Sequence, residues 1–340
     1  MRLTKSHKFI ALLVALLLLV VTGVVRHEER PEVAYDAVNY ATPFAQVEGK
    51  TAGVKSDAQI KAESGAAGVT QSRIRDAGVF QQQEGQLWRT LRNGPVTFYG
   101  GWLLVLTPLL FLLFYKVFGA LHLHGQPTGR MIERFSAAER HVHWATAGTF
   151  VVLALSGVVI LFGKHMLLPV VGYQVFSWIA VIAKNLHNLA GPLFFVSVAL
   201  LFKRYLKDNL WHKIDWLWIK DAHKVLRGEK HVPSYKFNAA EKAWFWCGVT
   251  LLGLIVSLSG LVLDFPVFNQ GRDVMQAANL IHGVFALLFI CAAFGHIYMG
   301  TIGTDGAFQA MKTGMTDETW AKEHHELWYE EEKVKQGLDR

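Results

Sequence analysis

The chain has 340 residues, of which 52% are hydrophobic, and a formal net charge of +7. So apolar a composition excludes an ordinary soluble enzyme. The positive charge is gathered in one loop between apolar stretches, which argues for membrane topology and against nucleic-acid binding. Only two cysteines occur, Cys247 and Cys291, both within apolar stretches, so neither a disulfide framework nor a cysteine-ligated iron–sulfur cluster is available.

Taken in chain order, Phe9–Val25 is a short apolar run behind a basic start of Arg2, Lys5 and Lys8. Residues 1–25 fit a signal peptide, with Val21 and Gly23 as a permissible cleavage pair, and fit a short N-terminal anchor equally. Residues 26–95 read as a polar extracytoplasmic segment without helical or strand periodicity, weakly ordered around Gly49–Gln71. Near its end Trp88, Tyr99 and Trp102 are the amphipathic aromatics of a headgroup boundary. Five apolar stretches then follow: Val96–Phe118, Trp144–Phe162, Phe176–Phe202, Trp244–Phe265 and Ala277–Gly300. Each meets or approaches the roughly 20 helical residues that a hydrocarbon layer of about 30 Å requires. The predicted fold is an all-α membrane protein in which one extra span (96–118) precedes a four-helix transmembrane bundle (119–303), with a tail at 304–340.

The segment Lys203–Lys242 carries ten Lys or Arg, whereas Gly163–Ser177 carries only Lys164. By the positive-inside rule the loop 203–243 is cytoplasmic, and alternation puts the C-terminus there too. Within that loop, NLWHKIDWLWIK (Asn209–Lys220) is amphipathic; it fits a helix lying in the interface plane or a surface for a soluble partner subunit. A weak internal echo links LALSGVVILF at 153–162 with VSLSGLVLDF at 256–265, placing Gly157 and Gly260 where a flat group or another helix can approach.

The fifteen histidines divide by position. His7, His27, His122, His124, His165, His212, His223, His231, His324 and His325 lie in loops or tails and read as surface residues. An imidazole within hydrocarbon must find a partner and marks a functional site, and His143, His187, His282 and His296 meet that description. His282 and His296 share the last span, 14 residues apart; the helix brings them within about 40° of one face and separates them by about 21 Å. One helix thus offers an imidazole near each membrane surface. Following each span from its entry side pairs His187 with His282 at the outer level and His143 with His296 at the inner level. Two stacked bis-imidazole sites are what two six-coordinate b haems require. His141 is the rival for the role of His143, but a two-residue step puts the two on different faces, and His143 sits deeper. The spans carry no central carboxylate, against a transporter of hard or borderline cations.

The motifs ERHVHW (139–144), KNLHNLAGPLF (184–194), KFNAAEKAWFW (236–246), LIHGVFALL (280–288), GHIYMGTIG (295–303) and WAKEHHELWY (320–329) together resemble the gamma, cytochrome b subunit of membrane-bound formate dehydrogenases. The resemblance covers roughly residues 130–330, with the motifs in order. It implies two haem b groups, the outer on His187 and His282 and the inner on His143 and His296. It further implies electrons arriving from an iron–sulfur (beta) subunit beside a catalytic (alpha) subunit, quinone as the acceptor near the inner haem, and a bacterial inner-membrane location. Asn238 of KFNAAEK corresponds to the quinone-pocket asparagine; Ala240 stands where the family's better-known members have Gly, which puts the backbone contact there in question. From the residues alone, Asn238 equally suits the N-cap of a helix starting near Ala239, and Glu241 with Lys242 reads as a solvated helix start with a lesser case for proton relay. The same bundle serves cytochrome b subunits of hydrogenases and thiosulfate reductases, and a haem-free membrane anchor is the alternative from another class.

Overall fold

The computed structural model describes residues 83–225, 227 and 229–335. The predictions for 1–25 and for most of 26–95 lie outside the described residues. The chain divides into two units, Ile10–Leu91 and a main unit running on from Arg92. Of the first, helix α1 (Gln83–Leu91) is described, so the end of the segment read as aperiodic is helical.

In the main unit a π-helical turn, Arg92–Val96, leads into α2 (Thr97–Phe118). It is closed by the Thr97 hydroxyl donating to the Arg92 carbonyl at 2.7 Å. Next come α3 (Ala137–Met166) and α4 (Leu168–Tyr205). The short helices α5 (Lys213–Lys220) and α6 (Ala222–Val225) occupy the basic loop. A further span is built from α7 (Ala239–Ala243), a π-helical stretch Trp244–Leu252 and α8 (Gly253–Asp264). The last span is α9 (Arg272–Gly300), followed by α10 (Ala307–Thr313), α11 (Glu318–His324) and α12 (Glu326–Lys335). Among the described residues, five helical segments are long and apolar enough to cross a membrane.

The protein is an integral membrane helical bundle. In it α3 packs along α4, α8 along α9 and across α4, and α2 along α9. Leu155, Leu189, Leu193 and Val196 remain more than half exposed, as helices facing lipid must. The interior is aromatic: Phe194, Val198, Leu201, Phe245, Val249 and Phe289 form its buried cluster.

Two predicted boundaries differ from the structure. The region Gly163–Ser177, expected as a loop, is mostly helical; the turn is confined to Leu167 and to Gly172, whose φ of 74° breaks the helix. Two spans also begin earlier than hydropathy suggests where a polar cap extends the helix, at Ser136 before α3 and at Asn238 before α7. Ser136 accepts from the Glu139 N–H while the Glu139 carboxylate accepts from the Ser136 N–H, a reciprocal cap that starts α3 seven residues before His143.

The C-terminal tail is folded against the same end of the bundle. Strand β1 (Met131–Glu133) pairs antiparallel with β2 (Met315–Asp317), with Ile132 opposite Thr316. Gly314 allows the chain to reach that strand: its φ is 91°, and a Cβ there would stand 2.5 Å from the Phe135 carbonyl. Behind the strands Ile132, Ala321, Trp328 and Tyr329 make a small core of their own.

Candidate haem-binding sites

The four histidines meet in two pairs. His187 on α4 and His282 on α9 have ring centroids 5.9 Å apart with planes at 80°. His143 on α3 and His296 on α9 have centroids 6.1 Å apart at 55°. These are the partners that depth matching predicts, and His143 is the one opposite His296, while His141 is exposed. Neither separation permits a ring–ring hydrogen bond, and each leaves room for an atom held from both sides.

The His187–His282 pair, expected at the outer level, is oriented by a repeated Ser-Gly dipeptide. The Ser156 hydroxyl donates to the Val152 carbonyl at 2.7 Å. With its one proton so used, its oxygen accepts from His187 Nδ1–H at 2.8 Å. In the corresponding place on α8, Ser259 donates to the Ile255 carbonyl at 2.6 Å. His282 Nδ1–H then donates to the Val256 carbonyl at 3.0 Å, with Ser259 Oγ a longer second acceptor at 3.3 Å. Both imidazoles therefore carry their proton on Nδ1 and keep the Nε2 lone pair free, the state a metal-ligating histidine needs. The adjoining glycines leave the rings room: a Cβ on Gly157 would stand 3.2 Å from His187 Cε1, and one on Gly260 3.1 Å from His282 Cε1. The sequence echo LSG…LSG pointed at these positions, but the two serines went unrecognised.

The inner pair is built differently. His143 Nδ1 is buried with no hydrogen-bond partner. The ring is met at its edge by Trp144, 5.0 Å away, while His296 lies stacked on Trp244 at 4.8 Å and 9°. Trp244 opens the π-helical stretch, and the wider turn adjusts which side chains of this span face α9. Between the two levels stands Phe289, seven residues from both His282 and His296. It touches Phe150 at 4.9 Å, Phe194 at 6.1 Å and Trp244 at 5.9 Å. Phe194 and Phe289 are both buried, so the interval between the two levels is apolar.

Such sites suit haem. Among the described residues no three His, Cys, Asp or Glu side chains converge as a metal-ion site. Two facing imidazoles with free Nε2 lone pairs fit a metal that brings its other donors in a macrocycle.

Beneath the inner pair lies a charged network. Asn238 caps α7, its Oδ1 accepting from the Glu241 N–H at 3.1 Å while Glu241 accepts from the Asn238 N–H at 2.8 Å. Neither Glu241 nor Lys242 is a freely solvated helix start: distant segments bury Lys242, and they tie the partly exposed Glu241 by an ion pair. Lys242 is completely buried and paired with Asp215 at 2.8 Å. Glu241 takes Arg134 at 3.0 Å.

His325 is also a correction to the surface reading. It is 1% exposed, donates from Nδ1 to the Tyr235 carbonyl at 2.8 Å and accepts at Nε2 from Arg134 at 2.8 Å. Burial, reinforced by the Arg134 charge, holds its pKa well below the ordinary histidine value. The neighbouring His324, also read as a surface residue, is half-buried and stacked on Trp320 at 4.8 Å.

Comparison with known proteins agrees with this architecture. Residues 134–314, more than half of the chain, match the family model of prokaryotic cytochrome b561. The chain belongs to the prokaryotic cytochrome b561 family. Among its relatives, the cytochrome b556 subunit of an Escherichia coli K12 formate dehydrogenase is 31% identical over 203 residues, 59% of this chain and 92% of that protein. The corresponding subunit of the nitrate-inducible formate dehydrogenase of the same strain is 29% identical over 206 residues, with the same coverage. A formate dehydrogenase cytochrome b556 subunit of Haemophilus influenzae is 26% identical over 211 residues, 59% of this chain and 83% of that one. The protein is thus a membrane-integral b-type cytochrome, and the matched family segment holds all four paired histidines.

Proposed function

We propose that this cytochrome is the membrane electron-transfer subunit of a formate dehydrogenase complex, holding two haem b groups, the outer on His187 and His282 and the inner on His143 and His296. The observation that carries this reading is the pair of facing imidazole couples, with the outer two fixed as Nδ1–H tautomers by Ser156, Val256 and Ser259. Haem supplies reversible one-electron chemistry.

The residues around the sites perform the remaining tasks. Ser156 and the Val256 carbonyl orient the outer ligands and raise their basicity by accepting their Nδ1 protons. Gly157 and Gly260 leave space beside those rings, and Phe150, Phe194 and Phe289 make the interval between the sites apolar. At the inner end Trp244 holds the plane of His296.

In this reading electrons arrive from an iron–sulfur (beta) subunit on the outer side, formate being oxidised by a separate catalytic (alpha) subunit. They leave to a quinone near the inner site. Asn238 uses Oδ1 for its cap, so its Nδ2–H groups are the donors available to a quinone carbonyl. The basic loop and the C-terminus face the cytoplasm of a bacterial cell, in the inner membrane.

Isolating the complex from native membranes tests the assignment. Formate should act as the reductant: its addition should produce a b-type absorption band in this subunit, with a catalytic subunit and an iron–sulfur subunit co-purifying. A complex reduced by hydrogen and not by formate would place the chain with the hydrogenase cytochromes instead. A chain without any b band would return it to the haem-free anchors.

A further inference from the structure

The amphipathic segment of the basic loop supplies none of the residues assigned above to haem or quinone, and its packing is specific. Helix α5 buries Asp215 and Trp218. Ile214 packs against the cluster of Trp218, Val232 and Ala239. At about 100° per residue these three positions share an arc of about 100°. Lys213, Trp216, Leu217 and Lys220 occupy the opposite arc, and Trp216 and Leu217 are 66% and 53% exposed. Trp211, in the approach to the helix, stacks on Trp216 with centroids 5.8 Å apart.

Two bonds fix the height of this face. Asp215 is 2% exposed and bound to the fully buried Lys242. The Asn209 carbonyl accepts from Trp246 Nε1 at 2.9 Å. Trp246 belongs to the apolar part of its span and rests against Phe202, 6.0 Å away in the last turns of α4. The exposed aromatics around α5 therefore stand at the end of the membrane-spanning layer, level with side chains that belong in it. Farther along α4, Leu193, Val196 and Leu200 form an exposed apolar surface of the kind that faces lipid. The cations on the exposed arc are Lys213 and Lys220, and the nearby carboxylates are already paired, Asp221 with Lys230 at 2.6 Å and Asp208 with Lys236 at 3.0 Å.

We propose that α5 is a fixed docking surface for anionic phospholipid: Trp211, Trp216 and Leu217 sit at the acyl–headgroup boundary of the adjacent leaflet, while Lys213 and Lys220 reach anionic headgroups from the same face. A helix recruited to lipid only by its own amphipathicity would fold on contact. Here the Lys242–Asp215 pair presents the face in advance, so binding orders lipid and not protein.

The test places a nitroxide at Leu217→Cys in a Cys247→Ser, Cys291→Ser background and measures its collision with oxygen and with a water-soluble nickel chelate in nanodiscs. In discs containing phosphatidylglycerol the label should meet oxygen several-fold more than the chelate, and less so in pure phosphatidylcholine. The pair Lys213→Gln with Lys220→Gln should remove the difference between the two lipids while leaving the haem spectrum unchanged. A label freely open to the chelate in anionic discs would overturn the proposal. So would equal values in both lipids, or protection from both agents, which would mark a protein partner on this face.

Discussion

The two histidine pairs differ in what surrounds them more than in their own geometry. The ring separations are 5.9 and 6.1 Å, yet the outer imidazoles are held by neutral hydrogen bonds that they donate to hydroxyl and carbonyl oxygens. The inner ones have a stacked indole on one ring and an orphan Nδ1 on the other. The outer site lies in a duplicated frame, Ser-Gly on α3 facing His187 and Ser-Gly on α8 facing His282, with no ionisable side chain among its bonded partners. The inner site rests above the Arg134, Glu241 and His325 network. The partners of one pair are thus neutral groups on the spans themselves, whereas the other pair lies toward the charged end of the protein.

The largest effect should come from crowding one frame only. A Cβ at Gly157 already stands 3.2 Å from His187 Cε1, so Gly157→Val should displace that ring. It should remove the outer haem while leaving the inner band in reduced-minus-oxidised spectra. Loss of both bands together would show that the sites are not separable.

Acidification should act at the other end. His325 is neutral in the folded state, so the unfolded chain binds the extra proton as pH falls below the ordinary value of about 6.5. Stability is then full above that pH and declines below it, by up to about 1.4 kcal/mol per pH unit. Thermal unfolding followed at both haem bands should show the inner band becoming labile first on acidification. His325→Gln, which can donate to Tyr235 and accept from Arg134, should flatten that dependence; an unchanged pH profile would count against the coupling.

A finer distinction lies inside the outer frame. Ser156→Ala removes an acceptor from His187 Nδ1–H, makes that ligand less basic and should raise the outer midpoint potential by about 40 mV, the equivalent of the roughly 1 kcal/mol net worth of a hydrogen bond. Ser259→Ala should shift it by less than half as much, since His282 retains the Val256 carbonyl at 3.0 Å. Redox titration resolves the two, and a shift confined to the inner potential would contradict the assignment of levels.

How legible all this was in the sequence depended on whether a residue's role follows from its own helix. His282 and His296 announce one face and two depths because a single continuous helix fixes both, and their partners follow from the direction of each span. Gly157 and Gly260 stood out through the repeated LSG, but nothing in the sequence marked the serines beside them as partners of the histidines. His325 and Lys242 could not be read. Each looks solvated among its sequence neighbours, and each is buried by segments far away in the chain: His325 by Arg134 and Tyr235, and Lys242 by Asp215. The π-helical stretch of Trp244–Leu252 was equally hidden, since an apolar run has the same hydropathy whichever turn it adopts.

Haem stoichiometry in single histidine variants tests the central claim most directly. The wild-type chain should carry two b haems. His187→Ala and His282→Ala should each retain one haem with the same spectrum and potential, and His143→Ala and His296→Ala should each retain the other. A variant from one pair that lost only the other pair's haem, or a wild-type chain with a single haem, would contradict it.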